Sequence, residues 1–159
     1  MIKQTGHEDN GDLRPILTDL IRSSGALTSL LLTKQGIHVA DAGDTSYLNV
    51  TAMGALVAGM FSATREVARM VCENQFSILL QQGEVRHIHI SLVDESHKMV
   101  VIFEELMRIG LVRHEAKSAA AKLAKALADN RVANGVPQIS TPRFKELALN
   151  LIDRIFETR

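Results

Sequence analysis

The sequence has one cysteine, no surplus charge of either sign and no long apolar run. A lone thiol, Cys72, excludes an intrachain disulfide and fits a reducing compartment. Lys plus Arg and Asp plus Glu balance at 18 each, so no global field draws the chain to nucleic acid or to an anionic membrane. No apolar stretch approaches the roughly 20 residues of a membrane span. The first ten residues are polar and lack the apolar segment of a secretory signal, so the expectation is a cytoplasmic protein. The Asn49-Val50-Thr51 sequon then carries no weight.

Catalytic signatures are also missing. There is no G-x-x-x-x-G-K-[ST] loop and no G-x-G-x-x-G, so no nucleotide cofactor is expected. His114-Glu115 has no second histidine at metalloprotease spacing. His87 and His89 share one strand face and His97 follows in the next turn, which could chelate zinc. No cysteine or carboxylate cluster joins them, so the ordinary reading is exposed histidines on a polar face. Cys72 reads as a small packed thiol. Glu104-Glu105 reads as a solvated pair, and Arg65, Arg69, Arg86, Arg108 and Arg113 as solvated or ion-paired. A ligand-sensing or enzymatic use of the His87/His89 face has no supporting constellation.

What is present is periodicity. Residues 1–11 read as a disordered leader. Leu13, Ile16, Leu17, Leu20 and Ile21 recur at helical spacing, with Asp12 placed to cap, Pro15 in the first turn and Ser23-Ser24-Gly25 as the stop. Strands are expected over Ala26–Thr33 and Ile37–Ala42, joined by Lys34-Gln35-Gly36. A long helix follows from Val50 to about Glu73. Three strands come next, Phe76–Gln81, Val85–Val93 and Lys98–Phe103, the last apolar enough to be central. A helix over about Leu111–Asp129 buries Val112, Ala116, Ala119, Leu123 and Leu127. A linker over 131–141 leads to a C-terminal amphipathic helix over 142–159, striped by Phe144, Leu147, Leu151, Ile152, Ile155 and Phe156. This order predicts an α+β domain over residues 12–130, an antiparallel sheet with helices laid on it. The terminal stripe suits either folding back on the domain or docking in a partner's groove.

The long helix is the most informative element. From Val50 to Thr64 no residue is charged. A helix resting on one sheet needs one apolar face and normally offers water a polar one. Met53, Leu56, Val57, Met60, Phe61 and Val67 can serve the sheet. The other side carries Ala52, Ala55, Gly59, Ser62 and Ala63, with Ala55, Gly59 and Ala63 spaced every four residues. Burial inside its own fold or against a second chain would both explain this, and twofold pairing would set the same strip against itself.

Several segments, in order, resemble the roadblock family in its bacterial mutual gliding-motility protein B (MglB) branch. They are Leu56-Val57-Ala58-Gly59, Ala63-Thr64, Glu73-Asn74-Gln75-Phe76, Gln82-Gly83-Glu84, Val100-Val101-Ile102-Phe103-Glu104 and Gly110-Leu111-Val112-Arg113, with Lys117 and Ala120 beyond. The resemblance implies a five-stranded antiparallel sheet with the long helix on one face and the first and third helices on the other. It implies a homodimer with paired long helices and sheets joined edge to edge through Phe76–Gln81. It further implies a regulator, without an active site of its own, that raises GTP hydrolysis by a small Ras-like GTPase of the MglA kind in cell polarity or motility. A roadblock adaptor that stimulates nothing is the alternative. The partner-binding residues implied are Ala55, Gly59, Ser62, Ala63 and Glu66 on the long helix, and Phe144, Leu151, Ile152, Ile155 and Phe156 near the C-terminus. Arg65-Glu66 and Met60 depart from the small, neutral or Asn side chains of relatives, a change that would block or select a partner.

Overall fold

The computed structural model describes residues 12–135. By contact density the chain divides into residues 1–126, which hold the sheet, and 127–159, of which the last turns of the third helix are described. The expected leader, most of the linker and the C-terminal helix lie outside the described residues.

Helix α1 spans Arg14–Ser24, β1 Thr28–Thr33, β2 His38–Gly43, α2 Val50–Met70, β3 Ile78–Gln82, β4 His87–Asp94, β5 His97–Phe103 and α3 Ile109–Ala133. A short 3-10 turn, Leu106–Arg108, leads into α3. The strands form one antiparallel sheet in the order β2-β1-β5-β4-β3. The most continuously apolar strand, β5, is therefore central, flanked on both sides by partners that cover its backbone.

The two faces of the sheet are covered differently. On one, Leu30, Leu32, Ile90, Val100 and Ile102 pack with Val57 and Phe61 of α2. Burying each such side chain is worth about 1.5–3 kcal/mol. On the other, Ser29 Oγ donates to the Leu17 carbonyl of α1 (3.4 Å), and Ser23 of α1 donates to Glu115 of α3 (2.9 Å). Val112, Ala116, Ala119 and Leu123 are buried beneath α3, as their spacing predicts. The architecture is the expected five-stranded α+β layer with helices on both faces.

Local departures have local causes. The α1 cap position is Leu13, one residue past Asp12, whose carboxylate instead accepts from the Arg14 N–H (3.2 Å). Helix α2 stops at Met70 rather than Glu73. Cys72 takes a left-handed φ of 63°, letting its N–H reach the Arg69 carbonyl and the Glu73 N–H reach that of Ala68. That is the paired bond of a Schellman stop, which glycine usually makes. Cys72 is exposed, not packed. Strand β3 begins at Ile78 rather than Phe76, β4 at His87 rather than Val85, and α3 runs from Ile109 to Ala133 rather than from Leu111 to Asp129.

One close approach seats α2. Gly36, at φ 90° in the β1–β2 turn, and Gly54 in α2 face each other so closely that a Cβ on either would strike the other's carbonyl oxygen. Part of the uncharged character of α2 thus comes from its docking on its own hairpin.

Candidate interaction surface on the long helix

Asn49 caps α2 by accepting the Ala52 N–H (3.0 Å), which fixes where the helix begins and which residues look outward. Gly54, Val57 and Phe61 turn to the sheet. Ala55, Gly59, Ser62, Ala63 and Glu66 all lie exposed on the opposite side. Among the described residues nothing stands within 4 Å of where a Gly59 Cβ would be, so this small residue meets no close packing there.

Leu56 and Val67, expected to face the sheet, instead point away, at 72% and 61% exposure. Met70 and Val71 extend the same exposed apolar surface. The cause is angular: only the arc around Val57 and Phe61 reaches the sheet, and Leu56 lies about 100° from Val57. Positions 56, 63, 67 and 70 recur at helical spacing, so the outward stripe was written in the sequence. Two apolar faces on one helix carry no mark of which is inner. An uncharged outer strip bordered by bulky apolar side chains is the kind of patch that marks an interaction site.

Arg65 and Glu66 separate. Glu66 faces out, where its carboxylate accepts from Arg69. Arg65 bends inward over the Phe61 ring, 5.6 Å from its centroid, and leaves the outward strip. Of the other arginines, Arg86 pairs with Glu104 (3.4 Å) and Arg108 with Glu105 (2.6 Å). One exposed edge of the sheet is β3, where Ile78 shows water 43% of its area and, among the described residues, the outer backbone has no strand neighbour. Phe144, Leu151, Ile152, Ile155 and Phe156 lie outside the described residues.

The histidine face is the largest surprise. His87, His89 and Ser91 are buried on the α3 side, with His87 and His89 at 2% and 1% exposure. Alternation with Ile88, Ile90 and Leu92 looked like a strand half in water, but helices cover both faces. The His87 ring lies 5.2 Å from Phe103. Burial, then the charge of Arg113, holds His89 below the ordinary histidine pKa, so the ring stays neutral. His97 bonds Asp94 (2.9 Å), and among the described residues no three ligating side chains gather for a metal.

Lys98 was not singled out by the sequence, yet it is the chain's oddest cation. It sits in the row Leu92–Lys98–Leu32 on the α2 side, 3% exposed. Its ammonium donates to the Lys34 carbonyl (3.0 Å) and lies 4.9 Å from the Phe61 centroid. Burial, Arg65 and Lys34 all lower its pKa.

No protein-family model and no curated protein matches the sequence. Solved structures do. MglB of Myxococcus xanthus superposes with a TM-score of 0.72 at 26% identity, covering 77% of this chain and 99% of that one. An MglB with a tetrameric arrangement gives 0.71 at 23%, covering 79% and 95%. A Roadblock/LC7 domain from Streptomyces avermitilis gives 0.64 at 15%, covering 74% and 99%. A five-stranded antiparallel sheet carrying the long helix on one face is thus a roadblock fold. Within that class this chain has the MglB-like form.

Proposed function

We propose that the chain is a non-catalytic, homodimeric regulator in the cytoplasm that raises GTP hydrolysis by a small Ras-like GTPase of the MglA kind, in cell polarity or motility. The carrying observation is the outer side of α2, uncharged from Val50 to Thr64 and exposed at Ala55, Gly59, Ser62 and Ala63. A helix that keeps charge off its exposed side forgoes hydration there, which is sensible only where another surface covers it. The likeness to MglB and the resemblance in the sequence supply the kind of partner.

In this reading the strip serves both the twin helix and the GTPase, and the open β3 edge joins its counterpart in the second copy. The segment 142–159, through Phe144, Leu151, Ile152, Ile155 and Phe156, docks on the GTPase as an amphipathic helix in a groove. Activation needs no residue donated from this chain: the dimer holds the GTPase's switch elements so that the GTPase's own groups meet the γ-phosphate.

Two measurements test this. Sedimentation equilibrium should give a dimer. GTP turnover by a small Ras-like GTPase of the MglA kind should rise when the chain is added. Binding without stimulation would leave a roadblock adaptor in place of the activator, and absence of both would end the reading.

A further inference from the structure

Arg65 and Lys98 converge on the single ring of Phe61, at 5.6 and 4.9 Å from its centroid. Two cations sharing one aromatic ring leave their charge poorly met, since a ring quadrupole offsets only part of a buried cation's cost. Among the described residues Arg65 forms no ion pair or hydrogen bond, and the Lys98 ammonium has one carbonyl and no carboxylate. Lys34 adds a third positive charge near Lys98. Of the carboxylates closest along the chain, Glu66 accepts from Arg69, and Glu73 accepts from the Gln75 N–H (2.8 Å); Arg69 and Glu73 both line the cleft beside Arg65, which leaves two guanidinium groups against one carboxylate there.

Arg65 also lines a cleft of about 430 Å³ between the end of α2 and the segment that leads into β3. Phe76 and Leu92 give it an apolar lining, and Phe76 packs on Phe61 (4.9 Å). Asn74, Gln75 and Ser77 add polar groups able to donate hydrogen bonds. The volume suits a small molecule rather than a peptide or a nucleic acid.

We propose that this cleft binds a small organic oxyanion, a carboxylate or phosphate on a short apolar body, seated on the Arg65 guanidinium. The planar fork of Arg65 can grip two oxygens at once. Asn74, Gln75 and Ser77 donate to the remaining oxygens, and the apolar body lies against Phe76 and Leu92. Lys98 does not touch the ligand. It raises the potential from its place at the Phe61 ring, through a low-dielectric core where a charge acts over a longer range than in water. A bound anion would supply the negative charge the cluster lacks and would brace the end of α2 against the approach to β3.

The site is independent of the GTPase reading, so failure of either leaves the other standing. The test is an NMR titration of the full chain with phenyl phosphate, benzoate and inorganic phosphate, with sodium chloride at matched ionic strength as the control. Saturable shifts at the Arg65 side-chain N–H and the Asn74, Gln75 and Ser77 groups are expected with at least one organic anion. The tighter of phenyl phosphate and benzoate tells which oxyanion the cleft takes. Arg65→Gln, at a half-buried position that a folded variant tolerates, should weaken that anion at least tenfold, and Lys98→Met several-fold. Shifts that never saturate, that chloride reproduces, or that either variant leaves unchanged would overturn the proposal.

Discussion

Lys98 shows how one side chain can be out of place by composition yet held by geometry. Its strand neighbours are Leu92 and Leu32, and its charge ends against an aromatic ring and a carbonyl. A buried cation with no counter-ion costs stability even when hydrogen-bonded. Lys98→Met, close in volume and neutral, should therefore stabilise the fold by roughly 1 kcal/mol, read as a melting temperature higher by a few degrees. A lower melting temperature would mean that Lys98 is compensated after all. His89 makes the complementary case in pH. Its folded pKa lies below the ordinary 6.5, so between those two values the unfolded chain binds the proton and the folded chain does not. Stability should then fall as the pH drops below about 6.5, by at most about 1.4 kcal/mol per unit from this group. His89→Leu should flatten that slope in urea melts taken at several pH values; an unchanged slope would place the titration elsewhere. Neither residue was legible in the sequence. His89 alternates with isoleucines just as an exposed strand residue would, and Lys98 opens a strand where a lysine ordinarily faces water.

At the scale of elements, α2 was legible in kind and misread in orientation. Its lack of charge drew attention to both sides: Val57 and Phe61 face the sheet, and the opposite side lies exposed. Leu56 and Val67 were assigned to the same face because apolar residues at helical spacing fit either side, and only the packed sheet decides between them. The two glycines of the helix separate these roles. Gly54→Ala would push a methyl into the Gly36 carbonyl and should cost roughly 2–4 kcal/mol of stability, because backbone on both sides cannot yield. Gly59→Ala meets nothing and should stabilise an isolated chain by up to about 1 kcal/mol through helix propensity. Chemical denaturation of both variants checks the pair. If Gly59→Ala were as damaging as Gly54→Ala, Gly59 would be packed inside its own domain and the outward strip would fail as a surface. The strands and their succession along the chain were readable because turn signals and apolar runs are local, and the helix ends were not, since Cys72 closes α2 in a conformation that sequence assigns to glycine.

For the whole molecule, the sheet, its central β5 and the helices on both faces agree with the roadblock resemblance, and the superposition on MglB extends over most of the chain. The proposed C-terminal contact set falls outside the described residues, so the proposed function rests on the exposed side of α2. Its central claim is that a small, uncharged strip on this helix is where regulation of a GTPase takes place. The most direct measurement is single-turnover GTP hydrolysis by a small Ras-like GTPase of the MglA kind, with saturating wild-type chain and with Gly59→Arg. Gly59 has open space around it, so the variant should fold like the wild type, checked by circular dichroism and melting temperature. The account predicts that the wild type accelerates hydrolysis at least tenfold and that Gly59→Arg, through lost dimerisation or lost docking, returns it to the intrinsic rate. Equal acceleration by a folded Gly59→Arg would contradict it.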